Sequence, residues 1–284
     1  MKLSYYPGCS LESSSKEYNM SARAACQALD VELIELKDWA CCGATSAHSV
    51  NHTLSITLPA KNIALAQELD ADLTTPCAAC YNVLKKTDYT LRHDEEMRTK
   101  TEQITGFKYT GQVNILSLLE AVATKVGAKA IAAKVKKPLQ GLNAACYYGC
   151  LLVRPPEVTQ FDDREHPQSL DQIINSLGAR AIPWAYKTDC CGASLSLTSA
   201  EIVQKMVGRL VNAAQEAGAN AIVTACPMCQ SNLEMRRPKG AAGMPVFYFT
   251  ELIGLALDLP DANRWLKLHL LDPLPLLQSL SLAR

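Results

Sequence analysis

The sequence predicts an α/β protein made of two pseudo-symmetric repeats, each a small, mostly parallel sheet flanked by helices. Three observations carry that expectation. One cysteine pattern occurs twice along 284 residues, short apolar runs alternate with helical stretches, and 48% apolar composition with 28 basic against 28 acidic side chains describes a globular chain long enough for two domains.

The repeat is read from the cysteines. The first copy is Cys9, 31 intervening residues, the pair Cys41-Cys42, 34 residues, and Cys77-Ala-Ala-Cys80. The second is Cys150, 39 residues, Cys190-Cys191, again 34 residues, and Cys226-Pro-Met-Cys229. The flanks agree too: Tyr6-Pro-Gly-Cys9 answers Tyr147-Tyr-Gly-Cys150, and each Cys-Cys pair is followed by Gly-Ala. A weaker echo, 113–120 against 246–253, follows each C-x-x-C. The boundary falls near Lys136-Lys137-Pro138, giving an N-terminal domain over 1–138 and a C-terminal domain over 139–284.

Between the cysteines, strand signals and helix signals alternate. Stretches 31–36 and 181–184 read as short strands, and 71–75 and 219–224 as apolar β-prone runs just before each C-x-x-C. Helical stretches 59–69 and 201–217 precede those runs, and in the second Ile202, Met206, Leu210 and Ala214 recur every fourth residue. Such alternation predicts parallel sheets covered on both faces. Sites in these sheets form at the C-terminal ends of strands, where Cys77 and Cys226 fall. Each C-x-x-C then opens a helix whose N-terminal dipole favours thiolate. Stretch 85–108 interrupts the order with a charged helical segment; it reads as a solvated surface helix, and the alternative is a docking arm for a partner protein.

Several classes of function are excluded at this level. Zero net charge without a Lys/Arg stripe leaves no electrostatic footprint for nucleic acid or an anionic membrane surface. No run approaches the 18 or so apolar residues of a membrane helix, since 246–259 is broken by Thr250, Glu251 and Asp258; direct membrane insertion is not expected. Met1 to Tyr6 leads straight into Pro7-Gly8-Cys9 without a secretory signal, which predicts a cytoplasmic protein. In that reducing compartment twelve cysteines are metal ligands or redox groups before they are disulfides.

Ligand chemistry then ranks the readings of each quintet. A zinc ion takes four ligands and leaves a fifth thiolate without a metal position, and a dithiol redox site uses the C-x-x-C alone. An iron–sulfur cluster presents several irons, so adjacent cysteines bind different ones. Iron–sulfur is therefore the leading expectation, and zinc stays open as the alternative. Gly43 and Gly192 after the pairs, and Gly8 and Gly149 before the first ligands, are expected to let backbone approach the cofactor. His48 and His52, four apart, share a helix face and are the candidate proton donors, although the second copy has no counterpart and a surface or structural role weighs more. Lys187 and Tyr147 are weaker candidates. Cys26 and Cys146 read as small buried hydrophobes; Cys146 could compete with Cys150 as a ligand, but the Tyr-x-Gly-Cys context marks Cys150 as the counterpart of Cys9.

The doubled pattern Cys9, Cys41-Cys42-Gly, Cys77-x-x-Cys80 and Cys150, Cys190-Cys191-Gly, Cys226-x-x-Cys229 resembles the CCG-domain family, specifically the B-type subunit of heterodisulfide reductase and its bacterial homologues. The resemblance covers nearly the whole chain. It implies two CCG domains, each holding a noncubane [4Fe-4S] cluster on its five cysteines, with a small disulfide bound between the two clusters and reduced, or two thiols oxidised in reverse. It also implies electrons arriving from a ferredoxin-type iron–sulfur protein like the family's C-type partner and a flavin-containing protein like its A-type partner, because this chain has no ferredoxin-type cysteine run of its own. The alternative within redox chemistry resembles the electron-carrying CCG subunits of lactate- or glycolate-oxidising complexes; a zinc-stabilised scaffold is the alternative outside it. Stretches 153–164 and 187–188 are expected to help shape the cleft.

Overall fold

The computed structural model, which describes residues 1–44, 47–240 and 243–283, contains two four-stranded parallel sheets. The first has β1 (Lys2–Tyr5), β2 (Glu32–Glu35), β3 (Leu73–Thr75) and β4 (Ile115–Ser117) in the order β2-β1-β3-β4. The second has β5 (Asn143–Tyr147), β6 (Arg180–Ala181), β7 (Ala221–Thr224) and β8 (Val246–Tyr248) in the order β6-β5-β7-β8. Register is equivalent in the two: Ser4 lies opposite Leu73 and Leu73 opposite Ile115, while Ala145 lies opposite Ile222 and Ile222 opposite Val246. The central β3 and β7 are buried along their whole length, as strands covered on both faces must be.

The predicted strands are all present but shorter. The 181–184 run pairs only over Arg180–Ala181, because Pro183 has no N–H to give a ladder. The 59–69 helix starts earlier, in α2 (His52–Glu68): the Asn51 side chain accepts the Leu54 N–H at 3.0 Å and caps it, leaving Pro59 inside. After α1 (Lys16–Ala28) and α2 come α3 (Ala78–His93) and α4 (Glu95–Thr105), which together hold the charged 85–108 stretch. This stretch is not wholly solvated. Leu91 is buried against Ile56 and Ala60 of α2, with Met97, Phe107 and Tyr109 around it.

In the second repeat, α5 (Ser169–Ser176), α6 (Ala200–Glu216), α7 (Pro227–Met235) and α8 (Phe249–Ala256) follow in order. The buried face of α6 is Val203, Val207, Leu210, Val211 and Ala214, whereas Ile202 is 54% exposed. A strict four-residue step drifts around a 3.6-residue helix, so the core face takes the i, i+4, i+7, i+8 pattern one residue further on.

The repeats interlock reciprocally. Helix α1, which follows the first strand of repeat one, packs on α8, which follows the last strand of repeat two; Tyr18 stacks on Tyr248 at 4.0 Å and the Ser21 and Thr250 hydroxyls meet at 2.7 Å. In the mirrored contact, α5 packs on the helical segment Leu118–Ala121 after β4.

Near the first of these interfaces lies a charged cluster. His269 stands between Glu251 (2.9 Å from Nε2) and Glu234 (3.3 Å from Nδ1), with all three side chains buried. Burial alone would lower the imidazole pKa, but the two carboxylates overcome it and raise the value from 6.5 to about 10. Glu17, on α1 and 4% exposed, has its carboxyl raised from 4.5 to about 7, first by burial and then by Glu251. The unfolded chain therefore loses this proton before the folded one, and stability falls as pH rises from 4.5 to 7. Glu17→Gln, which cannot ionise, is expected to be more stable than the parent by about 1–3 kcal/mol at pH 8 and nearly equal to it at pH 5, as read by urea unfolding. An equal effect at both pH values would contradict this account.

Candidate metal centres

In each sheet the chain order reverses between the two middle strands, β1 and β3 or β5 and β7. Right-handed crossovers send the following segments to opposite faces there, leaving a crevice at the carboxyl edge. The cysteines occupy this edge. Cys9 and Cys150 follow β1 and β5, the pairs Cys41-Cys42 and Cys190-Cys191 follow β2 and β6, and Cys77 and Cys226 follow β3 and β7 as the N-caps of α3 and α7. Cys80 and Cys229 stand in the first turns of these helices, as the sequence predicts.

The side chains gather in the same way in both repeats. Cys42 Sγ lies 3.3 Å from Cys80 Sγ, and Cys191 Sγ lies 3.7 Å from Cys229 Sγ. Cys9 interacts with Cys41, and Cys150 with Cys190. Hydrogen bonding from Cys80 lowers the Cys42 thiol to about 7, and bonding from Cys150 lowers Cys190 to about 6, so each quintet supplies a thiolate near neutral pH. Cys42, Cys77, Cys80, Cys191 and Cys226 are buried, Cys150 and Cys229 half-buried, and Cys9, Cys41 and Cys190 exposed.

The four glycines act in two ways. Gly8 and Gly149 have φ of 75° and 67°, and a Cβ on either would stand 3.1 Å from Cys80 Sγ or 3.2 Å from Cys229 Sγ, so these two give the sulfurs room. Gly43 and Gly192 instead aim their N–H groups at Cys41 Sγ (3.5 Å) and Cys190 Sγ (3.3 Å).

Tyr6 and Tyr147 hold equivalent places that the cysteine pattern marks only as flanks of the repeat. Tyr6 OH donates to Ala40 O at 2.9 Å and Tyr147 OH to Asp189 O at 2.6 Å, each the carbonyl just before a Cys-Cys pair. Cys80, Cys42, Cys41 and Cys9 border the first ring, and Cys229, Cys191, Cys190 and Cys150 the second. Burial, reinforced by these sulfurs, pushes both phenols far above their ordinary range, so they stay protonated and hold the loops rather than deliver protons. Tyr147→Phe is expected to cost about 1 kcal/mol of stability and to leave turnover within a few-fold; a collapse of turnover at unchanged metal content would make Tyr147 a proton donor after all. Asn62, whose amide bonds both N–H and C=O of Ala40, and Asn232, which donates to Cys191 O, brace the same loops and carried no sequence signal.

His48 is on the short helix Ala47–Val50 and His52 opens α2, with Asn51 in extended conformation between them; both histidines are exposed and they share no continuous helix face. Lys187 is buried, its ammonium 2.6 Å from Asp171 and 3.1 Å from Pro167 O, a structural ion pair. Cys26 is buried, and burial raises its thiol to about 12; Cys146 is fully buried on β5. Stretches 153–164 and 187–188 do meet, through Arg154 Nη2 and Thr188 Oγ1 at 3.0 Å.

The expectation of a gap separating the quintets changes at one place. Cys77 and Cys226 interact directly across the repeat interface, with Tyr18 beside both and its hydroxyl on Ala225 O at 3.1 Å. Both cysteines cap helices that begin at this interface, so the two sulfurs approach each other where an opening was expected. Solvent reaches the quintets at their outer rims, at Cys9, Cys41 and Cys190.

Two parallel sheets, each carrying five cysteines on its carboxyl edge, define a tandem cysteine-rich protein. The cysteine-rich domain family, CCG, matches at residues 3–85 and 144–234, and the chain belongs to that family. It is 30% identical over 283 residues to the 8-methylmenaquinol:fumarate reductase membrane anchor subunit of Wolinella succinogenes, covering 95% of this chain and 97% of that one. It is 27% identical over 275 residues to the B-type subunit of the ferredoxin/F420H2-dependent CoB-CoM heterodisulfide reductase of Methanosarcina acetivorans, covering 92% and 91%. A hypothetical protein from Helicobacter pylori, known from its crystal structure, shares the fold with a TM-score of 0.75 at 13% identity, over 95% of this chain and 52% of that one.

Proposed function

We propose that this chain is the iron–sulfur redox subunit of a multisubunit oxidoreductase that reduces a small disulfide, or oxidises two thiols in reverse. In this reading each repeat, 1–138 and 139–284, holds one [4Fe-4S] cluster of the noncubane type, the first on Cys9, Cys41, Cys42, Cys77 and Cys80, the second on Cys150, Cys190, Cys191, Cys226 and Cys229. The observation that carries it is the pair of equivalent quintets joined at Cys77 and Cys226. Five cysteines per repeat exceed the four ligands of one zinc, which favours a cofactor with several metal positions. When bound, such clusters supply electrons one at a time and iron as a Lewis acid for sulfur.

The protein's own residues do the rest. The Gly192 N–H helps stabilise thiolate on Cys190, the Gly43 N–H offsets part of the rise that burial gives the Cys41 thiol, Tyr6 and Tyr147 fix the loops, and the exposed rims admit a small thiol or disulfide. Two adjoining one-electron centres match a two-electron S–S cleavage. Partners in this reading are a ferredoxin-type iron–sulfur protein and a flavin-containing protein in the cytoplasm. Anaerobically prepared protein is expected to contain iron and sulfide for two clusters and to oxidise reduced viologen dye when given a small disulfide; metal content for one cluster, or zinc in place of iron, would refute the proposal.

A second reading is favoured by the 30% identity over 97% of the Wolinella relative: an electron-carrying subunit that docks a fumarate-reductase-type complex on the membrane. No described helix is long and apolar enough to cross a bilayer. Quinol-dependent activity and flotation with lipid vesicles, without disulfide-dependent dye oxidation, would select it.

A further inference from the structure

We propose that Asn82 is a positioning residue by which the N-terminal repeat sets the cysteine loops of the C-terminal centre; this rests on the reading that the quintets hold redox centres. Asn82 sits on α3 two residues after Cys80 and is 2% exposed. Its amide Nδ2 donates to two carbonyls of the other repeat, Leu151 O at 3.0 Å and Arg154 O at 2.7 Å, in the segment that starts at Cys150. The neighbouring Tyr81 OH donates to Thr159 O of the same segment at 3.0 Å. Arg154 extends the contact: its guanidinium donates to Thr188 O at 3.3 Å and Thr188 Oγ1 at 3.0 Å, two residues before Cys190. One amide and one guanidinium thus join Cys80 of the first quintet to Cys150 and Cys190 of the second.

Among uncharged side chains, a primary amide is the group that supplies two N–H donors from a single atom, here to two converging part-buried carbonyls. The device runs one way. The counterpart of Asn82 in the second repeat is Ser231, whose hydroxyl carries a single proton on a shorter stem, and the first quintet's Cys9 is exposed where Cys150 is half-buried. The C-terminal centre therefore depends on the N-terminal repeat for its geometry, and the reverse dependence is missing this bond. The outer partners of metal ligands typically change metal affinity 10- to 100-fold, and Asn82 is placed to act at that level on the far centre although it stands next to a ligand of the near one.

The test uses the full chain with Asn82→Asp, the same size without donors, alone and in two backgrounds that each keep one quintet, Cys41→Ser/Cys42→Ser and Cys190→Ser/Cys191→Ser. Iron retained against a chelator is measured anaerobically, together with the iodoacetamide reaction rates of Cys150 and Cys9 in iron-stripped protein. The expected result is iron loss from the C-terminal centre that is about 10- to 100-fold easier, an unchanged N-terminal centre, and faster alkylation of Cys150 but not of Cys9. Equal loss from both centres, parallel changes at Cys150 and Cys9, or no change would overturn the proposal. If Asn82→Asp does not fold, Arg154→Met keeps both Asn82 bonds while removing the branch to Thr188, together with the guanidinium's bonds to Arg164 O and Glu165, and is expected to speed alkylation of Cys190 alone; an unaltered Cys190 rate would be equally fatal. A parent protein without iron would refute the redox reading, while the alkylation rates would still decide the role of Asn82.

Discussion

Cys190→Ser/Cys191→Ser is expected to remove the C-terminal centre alone, halving iron and sulfide per chain, and to lower disulfide-dependent turnover by more than about 100-fold. Serine keeps the size of the side chain but does not ionise near neutrality, whereas the Cys190 thiol is held at about 6 by Cys150 and by the Gly192 N–H. The remaining Cys150, Cys226 and Cys229 come from two segments, the loop after β5 and the start of α7, with no thiolate from the β6 side. The Cys41→Ser/Cys42→Ser variant is expected to show the same halving and the same loss of turnover, because the proposed two-electron cleavage draws on both centres. Metal analysis, low-temperature EPR and the dye assay check these statements together. Full turnover in either variant would show that a single centre suffices.

His269→Ala is expected to cost about 3–5 kcal/mol at neutral pH, the largest single effect on stability. The substitution leaves Glu234 and Glu251 buried without their shared cation, although Leu270 N–H still serves Glu234 at 3.0 Å and Tyr248 N–H serves Glu251 at 2.9 Å. The pH dependence carries the sign of a raised histidine. Its contribution is complete below the unfolded value of 6.5 and is lost as pH rises through the folded value of about 10. Urea unfolding of the parent should therefore show stability declining across that window, and the alanine variant should show a much flatter profile. Parallel profiles would mean that His269 is neutral in the folded protein.

The doubled cysteine pattern made the α/β class, the two sheets and the place of each C-x-x-C at a strand end and helix start legible. Equal spacing between each Cys-Cys pair and its C-x-x-C reflects equal structure, since both spans contain a short helical turn, one 17-residue helix and one central strand. Elements without such a marker were harder to read. Strand β1 offers only Lys2–Tyr5, too short for a periodic signal, and Pro59 hid the first turns of α2, whose start is fixed by the Asn51 cap. Ile202 fits a four-residue step but points outward, because core contact is decided by the sheet that α6 covers. Within the site, Asn62 and Asn232 and the loop-holding role of Tyr6 and Tyr147 were missed, since hydrogen-bond partners far apart in sequence leave no spacing to recognise. The pair His48 and His52 failed as a shared face for the same reason as α2 began early: Asn51 ends one helix and starts another.

The reciprocal docking of α1 on α8 also bears on how the chain is made. As the protein leaves the ribosome, Lys16–Ala28 emerges long before its cover, Phe249–Ala256. At roughly 5–20 residues per second, that helix waits roughly ten to fifty seconds with Tyr18, Ala22 and Ala25 uncovered. The nascent first half thus carries a sticky apolar flank together with six free cysteines, and holding by a chaperone until synthesis ends is the expected requirement for high yield.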